Sequence, residues 1–451
     1  MREKEQGVFY KTVAGIALPV TMQSLLQSSF SVVDQLMIGK LGSESIAGVG
    51  LGGKFASLYS VLLGAVTAVA GIMISQYIGQ RNEEETNRSF FANLMLGLGL
   101  AAFFMALSMF FPEKIMGIYT KDEETKKIAA GYLRILAGSY LPMAVGSIAA
   151  VLLRCMEAAA LPLYASLAGA FLNTGFNYLF IFGKGGFPKM GAEGAAAATV
   201  IAQFGVCGFM IWFLLRHNKK HHLKMVFLWR FDAEKRKQFF GILYPIILCE
   251  FFWSLGENVY TAIYGNMGTD ACAAMTLTVP VQTLLIGALG GLAQAAGIMV
   301  GKALGSREYG RAYKESKKLM EYGFFGSVLL SAGLAAARGY YVGIYNASPE
   351  AKQMAYEILL AFALVSPVKV QNMILGGGII RSGGKTKYVM CIDLIGTWVF
   401  GVPLGLLGAF VWKLPVAYVY FLLSMEECVR LGISLLVFRK KGWMESLGSE
   451  K

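Results

Sequence analysis

The chain has 451 residues, a length that in a soluble protein would suggest two or three domains. Hydrophobic residues make up 56% and charged residues 15%, against about 25% charged in soluble proteins, and the mean hydropathy is +0.54. So much apolar surface cannot be hidden in one water-soluble core, and the formal charge of +13 sits in short flanks between apolar runs; this excludes a soluble enzyme or a nucleic-acid binder and specifies a polytopic membrane protein.

Stretches long enough to cross about 30 Å of hydrocarbon recur along the whole chain. They cover 12–38, 46–78, 90–111, 130–153, 162–182, 192–215, 239–264, 272–304, 319–343, 353–379, 388–411 and 414–438. The first holds Pro19 and Asp34 and lacks a small-x-small cleavage site, so it reads as a membrane span rather than a cleaved leader. The stretches are too long and continuous for barrel strands, which leaves an all-α protein of twelve transmembrane helices. With the N-terminus inside, 27 Lys and Arg fall on the cytoplasmic side and 10 on the other, which places both termini in the cytoplasm. The run HNKKHHLK (217–224) lies in a basic linker, 216–238, that faces anionic headgroups; metal binding by His217, His221 and His222 is the competing reading. Six cysteines stand singly in apolar stretches, with no CxxC spacing and no paired zinc pattern.

The sequence repeats itself. At an offset of 226, Gly15, Pro19, Ser28, Val33, Gly39, Gly42 and Ala47 meet Gly241, Pro245, Ser254, Val259, Gly265, Gly268 and Ala273. GIMISQYIGQR (71–81) faces GIMVGKALGSR (297–307) in the same register, Arg154 meets Arg381 at 227, and Arg216 meets Arg439 at 223. Each half then holds six helices, 1–215 and 239–451, in parallel orientation because six crossings return the chain to its starting side. Two such bundles leave a central interface where a transporter can hold its substrate, and no sizeable soluble segment remains for another activity. The chain has 54 glycines, about 12%, against about 7% usually, and small residues let membrane helices pack closely. Gly376, Gly377 and Gly378, after Pro367, form either a gating bend in the tenth helix or a close-packed surface.

These residues resemble the MATE (multidrug and toxic compound extrusion) family along nearly the whole chain. PVTMQSLLQSSFSVVDQLMIGKLGSESIAGVGL (19–51) resembles its first-helix pattern, ISQYIGQRN (74–82) its second-helix ending, and NTGFNYLFIFG with GAEGAAAATVIAQ (173–183, 191–203) its fifth and sixth helices. RKKGW (439–443) resembles its tail. The resemblance implies a V-shaped pair of six-helix lobes that exports amphipathic, often cationic, compounds against entering Na⁺ or H⁺. It implies no bound cofactor, small-molecule substrates, membrane lipids as surroundings, a monomer and a place in the plasma membrane. The alternative within transport is a lipid-precursor flippase of a related two-bundle superfamily. No HExxH, GxSxG or P-loop supports an enzyme.

Few ionisable residues lie inside the apolar stretches, and each needs a partner, a wet cavity or protonation. Asp34 is the first candidate. Its repeat partner is Tyr260, so the acid is no part of the duplicated scaffold, and the family resemblance implies a cation-coupling carboxylate there. Asn173 and Asn177 share one face of the fifth helix; with Thr199 and Asp34 they would offer Na⁺ the oxygens a hard cation prefers. Some relatives carry an acid at the position of Asn177, so this chain has one acid where they have two. Glu250 and Glu257, seven apart on the seventh helix, are candidates for a second cation site or a substrate contact; Glu257 near the cavity with Glu250 near the cytoplasmic end is the milder reading. Glu426, Glu427 and Arg430 have the spacing of an internal ion pair. Lys369 would oppose a cation site in the second half or pair with a carboxylate such as Asp393. Pro19, Arg154 and Arg381 are expected to serve gating or structure.

Overall fold

The computed structural model describes residues 2–221, 232–345 and 347–448. The middle of the basic linker, with His222, lies outside these residues, and the metal reading of the histidines with it. The described chain is helical throughout, with no strand among the described residues. Its helices are α1 (Arg2–Gly39), α2 (Ser43–Gly79), α3 (Glu83–Phe110), α4 (Pro112–Tyr119), α5 (Glu123–Leu136), α6 (Tyr140–Cys155), α7 (Ala160–Phe182) and α8 (Gly191–His221). The second half holds α9 (Ala233–Asn266), α10 (Thr269–Gly305), α11 (Tyr309–Gly343), α12 (Pro349–Asn372), α13 (Thr386–Leu394), α14 (Val402–Leu406), α15 (Val416–Ser424) and α16 (Glu426–Arg439).

Eleven of the described spans are long and apolar enough to cross a bilayer. The twelfth apolar stretch is helical too, but it divides at Met425 into α15 and α16, each too short to qualify alone. Three π-helical segments widen the spans of the second half: Met373–Ile380, Ile395–Gly401 and Leu407–Val411. The first of them contains Gly376, Gly377 and Gly378, so these glycines sit where the ladder widens from i→i+4 to i→i+5 bonding.

Helix starts follow local chemistry. Asn82 caps α3 by accepting from the Glu85 amide, and Glu83, Glu84 and Glu85 place negative charge at the positive end of the helix dipole. Asp122 caps α5 through the Thr125 amide, and Ser348 caps α12 through Ala351 with Pro349 at the first helical position.

The turns carry the repeat into the backbone. Gly42 (φ 98°) and Gly268 (φ 124°), 226 apart, are both left-handed, which glycine adopts without strain. Arg81 (φ 56°) and Arg307 (φ 60°) are also 226 apart and both left-handed, although neither is glycine. Their amides donate to Ile78 and Leu304, in each case at 3.0 Å. Glu157 (φ 63°) and Gly384 (φ 73°) form the third such pair, donating to Arg154 and Arg381. The same backbone solution was used twice.

The chain forms two compact units. One comprises Met22–Ile74 and Asn82–Ala233; the other comprises Met1–Thr21, Ser75–Arg81 and Glu234–Lys451. The first, the N-half unit, has a core in which Tyr59 and Tyr140 are fully buried, their rings 4.5 Å apart, with the Tyr59 hydroxyl donating to the Tyr140 carbonyl at 2.7 Å. The other, the C-half unit, has a core around Ile358, Phe362 and Val419. Its tail folds back: Trp443 is fully buried and stacks on Phe438, which stacks on Tyr313. Gln76 and Gln80 then bind the backbone of Glu445 and Leu447.

Candidate functional site

In the N-half unit, α1, α7 and α8 bring four of the sequence candidates together. Asp34 comes from α1, Asn173 and Asn177 from successive turns of α7, and Thr199 from α8. The Asn177 amide donates to Asp34 Oδ1 at 2.6 Å and to Asn173 Oδ1 at 3.1 Å. Turned over, the Asn173 amide exchanges its bond from Asn177 for a nitrogen 2.8 Å from Asp34 Oδ1 and an oxygen that accepts from Thr199 Oγ1 at 3.2 Å. Asn177 is buried, and its own Oδ1 meets no donor. Among the described residues no Lys or Arg forms an ion pair with Asp34. A carboxylate, two carboxamides and a hydroxyl thus converge, and each amide can present an oxygen or a nitrogen by rotating. That is a chemistry suited to a small hard cation, and equally to a proton on Asp34.

A second polar centre in this unit holds Arg154, in the last turn of α6. Its Nη2 donates to Gln23 Oε1 at 2.8 Å, and Gln23 Nε2 donates to Ser166 Oγ at 2.6 Å. Neither Gln23 nor Ser166 stood out in the sequence. Pro19, four residues before Gln23 on α1, falls within the C-half unit, and the structure gives it no polar role beyond its place in the helix.

The C-half unit repeats the Arg154 centre with different residues. Arg381 stands for Arg154, Cys249 for Gln23 (226 apart) and Asp393 for Ser166 (227 apart). Cys249 donates to Asp393 Oδ2 at 2.8 Å, and Arg381 Nη2 lies 3.9 Å from the Cys249 sulfur. Here, however, the node opens into a cavity of about 270 Å³. Glu250, Lys369, Arg381, Asp393, Glu427 and Arg430 line it, together with Gly376 and Gly377 of the π-helical segment. Arg430 lies 3.4 Å from Glu426 and 3.9 Å from Glu427, the ion pairing their spacing predicts. Lys369 pairs with Glu427 at 3.9 Å rather than with Asp393, whose partner among the described cations is Arg430 at 3.7 Å. The Tyr260 hydroxyl, at the repeat position of Asp34, donates to Glu426. The two seventh-helix acids part company in the reverse of the milder expectation: Glu250 lines this cavity 3.7 Å from Arg381, whereas Glu257 is exposed and does not line it, because helix rotation and not sequence spacing decides which acid meets the cavity. Once the structure has named Gln23 and Ser166 as the neighbours of Arg154, the 226–227 offset leads to Cys249 and Asp393 in the sequence.

Duplicated six-helix halves, twelve apolar helical stretches and ionisable groups gathered inside the helices define a polytopic membrane transporter rather than an enzyme. The MatE family model matches residues 19–179 and again 245–407, two matches that begin 226 residues apart. The chain belongs to the MatE family. It is 26% identical over 417 residues to the probable multidrug resistance protein NorM of Neisseria meningitidis serogroup A, covering 90% of this chain and 89% of the relative. It is 21% identical over 434 residues to the uncharacterized transporter YisQ of Bacillus subtilis, covering 95% and 93%. Among solved structures, the Vibrio cholerae MATE transporter VcmN in the bent form matches with a TM-score of 0.86 at 18% identity, covering 96% of this chain and 97% of that one. A MOP superfamily transporter from Pyrococcus furiosus, described as having a reversed binding-pocket polarity that suggests a different function, matches with a TM-score of 0.85 at 18% identity, covering 95% of each chain. At such identities the structures share the fold.

Proposed function

We propose that this chain is a secondary active exporter of amphipathic, chiefly cationic, organic compounds, coupled to entry of Na⁺ or H⁺ at Asp34. The observation that carries the reading is an Asp34 carboxylate that accepts from Asn177, with Asn173 and Thr199 bonded to each other beside it and no ion-pair partner among the described residues. An empty site of this kind keeps its hydrogen bonds within the cluster. An arriving cation draws the carboxamide oxygens inward and neutralises the carboxylate, and the helices that carry them repack. If cation and drug favour different arrangements of the helices, each ligand lowers the affinity for the other and the two exchange. The protein then works as a monomer in the plasma membrane with both termini in the cytoplasm, its lobes corresponding to residues 1–215 and 239–451, and it needs no bound cofactor.

The test is efflux of a fluorescent organic cation from vesicles under separately imposed Na⁺ and H⁺ gradients. Asp34→Asn keeps the shape and removes the charge. Losing about 1.4 kcal/mol of cation affinity is already a tenfold effect, so the initial rate should fall at least about tenfold at limiting cation, with expression unchanged. A mutant that pumps at the wild-type rate under both gradients removes Asp34 from the mechanism.

A further inference from the structure

The cavity of the C-half unit has an uneven hydrogen-bond account. Several of its acceptors are served, although Asn372 Oδ1 is not. Glu427 Oε2 accepts from Asn372 at 2.8 Å, Asp393 Oδ2 accepts from Cys249 at 2.8 Å, and Glu426 accepts from Tyr260. Two of its cationic donors are held only loosely. Lys369 makes no hydrogen bond among the described residues, and its nearest carboxylate oxygen is 3.9 Å away. Arg381 has a sulfur at 3.9 Å and a carboxylate at 3.7 Å, and its Nε meets nothing. Arg430, by contrast, is held: it donates to Thr397 and pairs with Glu426, Glu427 and Asp393.

The other half of the same chain is the internal control. There the equivalent guanidinium of Arg154 is met by the Gln23 amide oxygen at 2.8 Å. Cys249 in place of Gln23 withdraws that oxygen from Arg381. At the offset of 227, Lys369 and Asn372 fall on Pro142 and Val145, so the added cation has no counterpart in the first half. The second half has thus gained Lys369 and lost the amide oxygen that meets the guanidinium in the first half, while Glu250 and Asp393 bring carboxylates where the first half has Ser24 and Ser166.

We infer that this cavity binds the oxyanion of a small amphipathic organic acid, which Arg381 and Lys369 grip while Trp253 and Ile392 pack its apolar part. Glu250, loosely paired to Arg381, competes with the ligand for the guanidinium. The transport consequence rests on the efflux reading: the exporter would accept anionic or zwitterionic compounds as well as cations. The binding itself needs no gradient and no Asp34.

The test is equilibrium dialysis of 2-naphthoate against purified protein in neutral detergent, without any ion gradient, compared with 2-naphthamide and 2-naphthylmethylammonium. The acid should bind at least tenfold more tightly than the neutral amide. Arg381→Met and Lys369→Met should each bring it toward the amide, and Lys387→Met, an exposed lysine outside the cavity, should leave it unchanged. Cys249→Gln returns to Arg381 the amide oxygen that Arg154 has in the first half and should bring acid binding toward that of the amide. Glu250→Gln should tighten it. Preference for the ammonium probe, loss of its binding in Glu250→Gln, or equal binding of acid and amide would overturn the inference. Displacement of naphthoate by phosphatidylglycerol but not phosphatidylcholine would identify the natural oxyanion as a lipid headgroup. No displacement by either would identify a soluble acid. Failure here leaves the efflux test at Asp34 untouched.

Discussion

Adding one methyl group at Gly305 should test how tightly the duplicated helices are packed. A Cβ at Gly305 would fall on the backbone carbonyl of Gln76, and a Cβ at Gly79 on the backbone carbonyl of Lys302. Gly79 and Gly305 are 226 apart, as are Gln76 and Lys302, so the ends of α2 and α10 make the same close approach reciprocally within the C-half unit. Backbone on both sides leaves no flexible side chain to give way. Overpacking costs about 1–3 kcal/mol, and this geometry belongs at the upper end, about 3. Replacing a helical glycine by alanine returns about 1 kcal/mol, so each of Gly79→Ala and Gly305→Ala should destabilise by about 2 kcal/mol. Once one methyl group has parted the helices the second meets less resistance, so the double variant should lose about 3 rather than 4 kcal/mol. Gly99→Ala, where nothing lies within 4 Å of the added carbon, supplies the control and should be neutral or up to about 1 kcal/mol more stable. The assay is reversible unfolding in detergent followed by tryptophan fluorescence. A Gly305→Ala protein as stable as wild type, or strictly additive losses in the double variant, would refute the argument.

Other consequences can be measured directly. Trp443→Ala should cost about 3–5 kcal/mol, because a fully buried indole stacked on Phe438 is removed and the tail held by Gln76 and Gln80 is released. Trypsin cleavage after Lys440 and Lys441 should accelerate, and unchanged cleavage would show the tail to be held by other contacts. Asp122→Ala should lower the melting temperature slightly by removing the cap of α5. The Thr125 hydrogen bonds hold the Asp122 carboxyl below its ordinary value of 3.8. Its contribution is therefore fully present above pH 3.8 and lost as the pH falls through the lowered value, so the wild-type advantage over Asp122→Ala should vanish in acid but persist at neutral pH. A constant difference across that range would count against the cap.

How much was legible in advance depended on whether the signal was local or periodic. Hydropathy located the membrane helices because lipid forbids unpaired backbone, and only long apolar helices satisfy that condition. The twelfth stretch showed the limit, since its division at Met425 leaves no mark in composition. The pairing of Arg430 with Glu426 and Glu427 was readable because three- and four-residue spacings place side chains together on a helix. The partner of Lys369 was not, because Glu427 and Asp393 belong to different helices whose relative rotation hydropathy does not encode. The separation of Glu250 from Glu257 escaped for the same reason: seven residues align them on one face but do not say where the cavity ends.

The sequence by itself determined the membrane class, the helical spans, the duplication and the acid at position 34, because each follows from composition, period or offset along one chain. Only the tertiary structure decided that Gln23 and Ser166 serve Arg154 while Cys249 and Asp393 stand in for them around Arg381. Hydrogen bonds reaching between helices depend on rotations and crossings of less than a residue's width, and side-chain packing sets these after the helices have formed.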